Sequence, residues 1–326
     1  MKSLSKGEKA QIRSVLFRHL DGIAIIPSCL QLEKKGILNS FNKKTTQSLN
    51  DISINTKSND AYINVALRLC CSQGWLNQKI EAQDILFSLT DKGKVFLSQI
   101  YSFEYATNIL QYLSNFESLC KNHSNLINDY IDTLLKISSK LDKQLFHQMC
   151  GLIIGPMLVH WGMSQYILKQ NETNHLKAEG LPGGNSANMP LFTLMNMIGW
   201  GYIEKNIFRP NIIGDAFFKR CTAYGVTTSY LPMFNKLDEI FYGDASCLWS
   251  RPKSNPEIHV NRTMNVWGSG GAHSGYFTKV DEIVIEVFNR PLKEQPAGIA
   301  DMGCGNGALL AHLFELIEKH TLRGKH

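Results

Sequence analysis

The chain has 326 residues, a formal net charge of +6 at pH 7 and 44% apolar residues, an ordinary composition for a globular protein of about two or three domains that excludes a disordered chain. Lys and Arg are scattered, so the mild basic charge does not establish nucleic-acid binding and is compatible with an acidic partner such as a carrier protein. The eight cysteines show no zinc spacing and the N-terminus lacks an apolar signal core, so we expect a cytoplasmic protein without a membrane span.

The first hundred residues are predicted to form a helical domain that ends in a winged helix. Residues 5–20 have an amphipathic helical pattern, and Pro27 is predicted to start a second helix. A helix over residues 59–71 precedes two short strands, near residues 75–78 and 85–89, and a further helix follows them. This order of elements is typical of a winged helix.

A second winged helix is predicted after a helical connector of residues 101–180. The alignment of the two units rests on matching glycine, aromatic and apolar positions. It places Gly201-Tyr202-Ile203 opposite Gly74-Trp75-Leu76, and Phe208, Gly214 and Phe217 opposite Phe87, Gly93 and Phe96. In this register the second wing is about six residues shorter than the first.

The helices that would read DNA offer few side chains for that task. Recognition helices normally present Arg, Lys, Asn or Gln to base edges. Residues 59–71 contain only Asn59, Asn64 and Arg68 of these types, and "LFTLMNMIGW" contains only Asn196. The sequence therefore does not favour DNA as a partner.

A Gly/Ser-rich segment lies downstream of the second unit. "NVWGSGGAHSGYF" is predicted to be a loop that carries Trp267, His273 and Tyr276. An amphipathic helix over residues 280–288 follows, and Pro291 helps to end it. A loop with large aromatic side chains and one histidine, just before a cofactor motif, is positioned to close over a substrate.

The last segment, "GIADMGCGNGALLAHLFELIEKH", is predicted to form a strand at residues 298–300, a glycine-rich turn and a helix. Glycines let a backbone turn tightly and approach a ligand, and the first amides of the helix add positive dipole ends. The glycine pattern alone fits a dinucleotide or S-adenosylmethionine. Asp301 favours S-adenosylmethionine, because a carboxylate there would repel a pyrophosphate but can accept hydrogen bonds toward the methionine ammonium.

Two family resemblances follow from these residues. "DMGCGNG" resembles motif I of class I S-adenosylmethionine-dependent methyltransferases, which implies that Asp301, Gly303, Cys304, Gly305 and Gly307 bind this cofactor. The longer pattern "NVWGSGGAHSGYF…FNRP…QP.GIADMGCG" is similar to the C-methyltransferase domains of polyketide loading modules of the apratoxin starter-unit type. In small-molecule methyltransferases, a winged-helix N-terminal domain commonly serves as a dimer contact or a lid.

The second resemblance implies methylation of a malonyl-type carbon on a carrier-bound acyl group or a related small molecule, near a mononuclear iron or manganese ion. Such an ion would lower the pKa of the substrate proton and hold the enolate. His273 is the candidate catalytic residue and metal ligand, because a neutral imidazole suits either metal. A solvent-facing histidine or a hydrogen-bond donor to substrate is the open alternative. A homodimer formed through the N-terminal domain is also expected.

The predicted fold is therefore mainly α, with two winged-helix units followed by the first strand and helix of an incomplete Rossmann-like methyltransferase domain. The predicted domains are residues 1–100 (helical and winged-helix), 101–180 (connector), 181–235 (second winged helix), 236–297 (substrate loop and helix) and 298–326 (cofactor domain).

Too few residues follow Gly307 for the second strand, whose acid binds the ribose hydroxyls in this family. We therefore expect a fragment that is inactive alone. A non-catalytic winged-helix protein that binds DNA or another protein, with a vestigial cofactor motif, is the alternative, and a dinucleotide oxidoreductase is a third hypothesis.

Overall fold

The computed structural model describes residues 4–167, 175–249, 257–305 and 307–326, and describes the backbone but not the side chains of residues 271–275. The described chain is mainly helical and carries two small antiparallel sheets. The helices are α1 (Lys6–Lys34), α2 (Ile37–Ser40), α3 (Leu49–Thr56), α4 (Asp60–Ser72), α5 (Asp91–Gln99), α6 (Thr107–Leu110), α7 (Phe116–Asn122), α8 (Ser124–Ile137), α9 (Lys143–Met163), α10 (Gly184–Met197), α11 (Ile212–Phe218), α12 (Gly225–Ser229), α13 (Leu231–Phe234), α14 (Leu237–Tyr242), α15 (Arg262–Phe288) and α16 (Ala308–His320). The strands are β1 (Thr46–Ser48), β2 (Leu76–Glu81), β3 (Asp84–Leu89), β4 (Leu176–Lys177), β5 (Gly201–Glu204) and β6 (Ile207–Pro210). The predicted fold class is confirmed.

Helix α1 is one continuous helix, so the prediction that Pro27 starts a second helix is wrong. Its first turn is held by a capping box, in which the Ser5 hydroxyl accepts from the Glu8 amide and the Glu8 carboxylate accepts from the Ser5 amide. A proline inside a helix removes one backbone hydrogen bond. Tertiary burial compensates here, because the residues around Pro27 are buried in the main core.

The close crossing of α1 and α9 explains that burial. A Cβ atom at Gly22 would overlap the backbone of Gln148, and one at Gly151 would overlap the backbone of His19. The two helices therefore approach each other backbone to backbone, which alanine would prevent. Helix α1 is long and apolar enough to cross a membrane, but more than half of its most apolar stretch is buried inside the protein. It is the core helix of this fold.

The first winged-helix unit has the predicted elements. Helix α4 leads into the β2–β3 hairpin, and β1 pairs with the other edge of β3, so that β3 is the central strand. Thr90 caps α5, because its hydroxyl accepts a hydrogen bond from the Gly93 amide. The rings of Trp75 and Phe96 stack with centroids 3.6 Å apart and lie in the core. This stack fixes α5 against the base of the hairpin.

The second unit repeats this arrangement. Its strand order, β4–β6–β5, is that of β1–β3–β2, and β4 lies a few residues before residue 181, where the sequence places the start of the unit. Trp200 stacks on Phe217 with ring centroids 4.2 Å apart. Asn211 caps α11 as Thr90 caps α5. The predicted internal repeat is therefore present in the structure.

The predicted register of the repeat is wrong before the hairpin. Gly199-Trp200, rather than Gly201-Tyr202, takes the place of Gly74-Trp75. Gly74 and Gly199 both have left-handed backbone conformations, with φ of 76° and 79°. Each following tryptophan amide donates to a carbonyl in the last turn of the preceding helix. The sequence offers a glycine before an aromatic residue in either frame, and the positive φ distinguishes them.

The corrected register also changes the size of the second wing. Strands β2 and β3 have six residues each, whereas β5 and β6 have four each. Both hairpins turn through two residues. The second hairpin is therefore shorter by two residues in each strand, and not by six in all.

A buried histidine joins α1 to the segment after the second unit. His19 is wholly buried, and its Nδ1 atom lies 2.9 Å from the Tyr224 hydroxyl. Burial, together with the neighbouring His147, lowers the pKa of His19 from 6.5 to about 3. In the folded protein His19 therefore stays neutral through the pH range near 6.5, in which a histidine of the unfolded chain becomes protonated.

This shift predicts a loss of stability in mild acid. Below pH 6.5 His19 becomes protonated in the unfolded chain, whereas in the folded chain it stays neutral down to about pH 3. The free energy of unfolding therefore decreases as the pH falls from 6.5 to 3. From pH 7 to pH 5 the loss from His19 alone is about 2 kcal/mol. We expect chemical denaturation at the two pH values to show it, and to show a smaller loss in His19→Gln. An equal loss of stability in both proteins would contradict the lowered pKa of His19. Some loss is expected in the variant too, because burial also lowers the pKa values of His147 and His160.

Candidate functional site

The segment before the glycine turn is a helix, so the prediction of a Gly/Ser-rich loop is wrong. Helix α15 runs from Arg262 to Phe288 through Trp267, His273 and Tyr276, and the helix predicted for residues 280–288 is its last part. The Asn261 side chain caps it by accepting from the Met264 amide. Glycine and serine are poor helix formers, but tertiary packing overrides propensity when both ends of a helix are anchored.

The first anchor is a glycine-to-glycine crossing. Gly268 of α15 meets Gly225 of α12, and a Cβ built on either residue would lie 2.6–2.7 Å from the other's Cα atom. Next to this crossing, the Trp267 ring covers Gly162 at the end of α9. The glycines that suggested a loop are therefore needed for close packing, at least at Gly268.

A methyl group at Gly268 should weaken this anchor. Gly268→Ala places a Cβ against the backbone of α12, where nothing can rotate away, and overpacking of this kind costs about 1–3 kcal/mol. Gly7→Ala is the matched control, because Gly7 is also helical and an added Cβ there would have no atom of the described part of the chain within 4 Å. Thermal denaturation should show a lower midpoint for Gly268→Ala and an unchanged or higher one for Gly7→Ala. Equal midpoints would show that the crossing carries little stability.

The second anchor joins α15 to α16. Val284 and Phe288 of α15 pack with Leu313 and Leu316 of α16 in a small hydrophobic cluster that is separate from the main core. This cluster fixes the helix that follows the glycine turn.

Polar contacts that the sequence analysis missed reinforce this pairing. The Asp281 carboxylate lies 2.6 Å from His312 Nε2, and both side chains are largely covered. The Asn289 side chain accepts from the Leu322 amide, beyond the end of α16. These partners are about thirty residues apart in the chain, so no local pattern could have indicated them.

The glycine turn has the backbone conformation that the motif requires. Gly303, Gly305 and Gly307 have φ values of 92°, 58° and 76°, in the left-handed region that other residues adopt only with strain. The Gly307 amide donates to the Cys304 carbonyl, and α16 starts at the next residue. Three alternating left-handed glycines therefore bring the chain from Asp301 to the amino end of a thirteen-residue helix.

One side of this turn is open. No atom of the described residues lies within 4 Å of a Cβ built on Gly303 or Gly307, whereas the corresponding position on Gly305 reaches Val266 at 4.0 Å. Cys304 is exposed and Met302 is 97% exposed. The turn can therefore approach a ligand closely on its outer face while its middle glycine faces α15.

Residues 298–300, predicted to be a strand, make no strand pairing in the structure. Their short apolar composition suits a buried parallel strand, but a strand needs neighbours to satisfy its backbone groups. The described strands all belong to the two winged-helix sheets. Asp301 follows this segment directly and is partly buried.

The predicted metal site has no support from the described residues. His273 lies in α15, but its side chain is outside the described residues, so its roles as catalytic residue and metal ligand remain predictions. Among the side chains that are described, no group of three or more His, Cys, Asp or Glu residues suits a metal ion. The described residues therefore do not supply a ligand set for iron or manganese.

The winged-helix faces offer little to a nucleic acid. The exposed residues of α4 are Asp60, Ala61, Val65, Arg68 and Ser72, and those of α10 are Asn185, Ser186, Thr193, Asn196 and Met197. These two helices contain one arginine and no lysine. The faces of these two helices therefore carry a single basic side chain, whereas phosphate contacts from basic side chains supply most of the affinity of DNA-binding proteins. That DNA is not a partner stays a prediction.

Comparison with protein families identifies three parts of the chain. Residues 12–78 match an AprA N-terminal domain, residues 150–244 match an AprA winged helix domain, and residues 257–326 match an AprA MT2-like domain. The matches show that the chain resembles methyltransferases of apratoxin-type loading modules. The winged-helix match covers the second unit, and the methyltransferase match covers α15, the glycine turn and α16. No curated protein matches the chain.

Proposed function

We propose that this relative of the AprA-type methyltransferases takes part in transfer of a methyl group from S-adenosylmethionine to the carbon of a small-molecule or carrier-bound acyl substrate. The observation that carries the proposal is the glycine turn: three left-handed glycines follow Asp301 and lead into a helix within the methyltransferase-like region. The proposed cofactor contacts are Asp301, Gly303, Cys304, Gly305 and Gly307.

Each part of this turn has a chemical role in the proposal. The Asp301 carboxylate accepts hydrogen bonds from the methionine ammonium of the cofactor. The open faces of Gly303 and Gly307 let the backbone lie against the cofactor where a side chain would block it. A carboxylate at this position disfavours a pyrophosphate, which supports S-adenosylmethionine over a dinucleotide.

The reaction is a displacement at the methyl carbon. The carbon–sulfur bond breaks and its electron pair stays on sulfur, a carbon–carbon bond forms to the acceptor, and the acceptor carbon loses a proton. No side chain of the described residues is proposed as the base that receives this proton. Because they also supply no metal ligand set, no step of the proposal passes through a metal ion.

Helix α15 is proposed to position the glycine turn relative to the bound substrate. It contacts α12 at Gly268 and the glycine turn at Val266, and it holds α16 through Asp281. A substrate bound beside the turn would therefore lie next to the first half of α15. His273 also lies in the first half of this helix, and its proposed role in catalysis rests on the family resemblance.

Asp301→Asn tests the cofactor assignment. Loss of the charged hydrogen bonds should weaken S-adenosylmethionine binding by about 1.5–3 kcal/mol. The measurement is calorimetric titration of the longest polypeptide that the reading frame of this chain encodes, whether it ends at residue 326 or later. Glu294→Gln, which removes an exposed acid shortly before the turn, is the matched control and should bind as the unchanged protein does.

Three results would contradict the proposal. Tighter binding of NAD than of S-adenosylmethionine would favour an oxidoreductase, unchanged affinity in Asp301→Asn would remove this residue from the site, and the absence of any binding would remove the activity.

A further inference from the structure

A cavity of about 750 Å³ lies between the second half of α1 and the helical segment that follows α5. That segment is a 3-10 helix (Ile100–Ala106) that continues directly into α6. Phe234, at the end of α13, also lines the cavity. Sites for small molecules commonly have volumes of about 300–1,000 Å³. The cavity is therefore large enough to hold a small organic ligand.

The apolar part of the lining can be reached from solvent. Leu30 of α1, Leu110 of α6 and Phe234 are each only partly buried. Tyr101, which lines the cavity from the 3-10 helix, is 43% exposed. A ligand that enters the cavity can therefore cover aliphatic and aromatic surface that is otherwise in contact with water.

The charged side chains of the lining are mainly acidic. They are Glu33, Glu104 and Lys34. Lys34 already has a partner, because its Nζ atom lies 3.0 Å from the Asp238 carboxylate. Glu104 is exposed and forms no ion pair within the part of the chain that the structure describes. The lining therefore presents two carboxylates, and its one cation is already paired.

The two carboxylates are close enough to affect each other. Glu33 is half-buried, and its carboxylate accepts hydrogen bonds from the backbone amide and the side chain of Asn39. Burial raises the pKa of the Glu33 carboxyl, the hydrogen bonds from Asn39 oppose this shift, and the negative charge of Glu104 adds to it. A positive charge beside both carboxylates would relieve their repulsion and replace part of the hydration that Glu33 has lost.

These features select the kind of ligand. An anion would meet two like charges, and a neutral molecule would leave the repulsion between the carboxylates in place. A bare metal ion is disfavoured, because the described side chains contain no group of three or more His, Cys, Asp or Glu residues that suits one. An organic cation uses both parts of the lining, since an ammonium group pairs with carboxylates and is also attracted to the face of an aromatic ring such as that of Tyr101.

We propose that this cavity binds a small organic ammonium ion with an apolar body. The ammonium group donates hydrogen bonds to the carboxylates of Glu33 and Glu104, and the body packs on Leu30 and Phe234. No residue of the glycine turn or of α15 lines the cavity. The inference therefore does not depend on the proposed methyl transfer.

Phenethylamine is the probe, and calorimetric titration of the 326-residue chain at low salt is the measurement. Phenethyl alcohol, which has a neutral hydroxyl in place of the ammonium group, should bind at least about tenfold more weakly, because it lacks the charge-assisted hydrogen bonds. Phenylacetate, the anionic analogue, should not bind detectably. The absence of saturable phenethylamine binding at millimolar concentration would overturn the proposal. Binding of either analogue as tightly as phenethylamine would overturn it too.

Two variants of exposed residues locate the site. Glu104→Gln removes one carboxylate and should weaken phenethylamine binding about two- to fivefold, the range for an exposed ion pair. Asn108→Arg places a guanidinium group four residues after Glu104 in the same helical segment, and this internal cation should abolish detectable binding. The matched controls Glu179→Gln and Asn196→Arg change exposed residues outside the lining and should bind as the unchanged protein does. Normal binding in either variant, or an equal loss in its control, would place phenethylamine elsewhere and overturn the proposal.

Discussion

The contact on which the position of α15 depends is the crossing of Gly268 on Gly225, because it sets how near α15 can come to α12. A side chain on either residue would push the helix axes apart. The Trp267 ring could then no longer cover Gly162 at the end of α9. Since α15 carries Asp281 and the apolar face that holds α16, the position of the glycine turn follows from this one approach.

The main features of the winged-helix units could be predicted from sequence because their signals are local. A capping residue, a turn and an alternating hairpin lie within about thirty residues, and the structure confirms that order twice. The register of the repeat could not be predicted, because glycine precedes an aromatic residue at both Gly199 and Gly201. What decides is backbone conformation: Gly199 has a positive φ and Gly201 does not. Gly201 is instead a close-packed strand position where a Cβ would overlap the facing strand.

The glycine turn and α15 show opposite limits of the same reasoning. The left-handed conformations of Gly303, Gly305 and Gly307 could be expected from the motif, since glycine is the residue that such conformations favour. For α15 the glycines gave a wrong prediction. Helix propensity alone predicts a loop for the glycines near Trp267, whereas in the structure Gly268 allows close packing of a helix. Pro27 is a similar case, because burial of α1 outweighs the hydrogen bond that proline removes. Partners distant in the chain decide both outcomes.

One short segment of the chain joins the buried histidine to the bridging helix. The Tyr224 hydroxyl lies 2.9 Å from His19 Nδ1, and the next residue, Gly225, meets Gly268 of α15. The hydrogen bond that ties α1 to this segment and the close approach of α15 are therefore made by consecutive residues. Because α15 in turn holds α16, the contact with the core helix and the placement of the glycine turn depend on the same part of the chain.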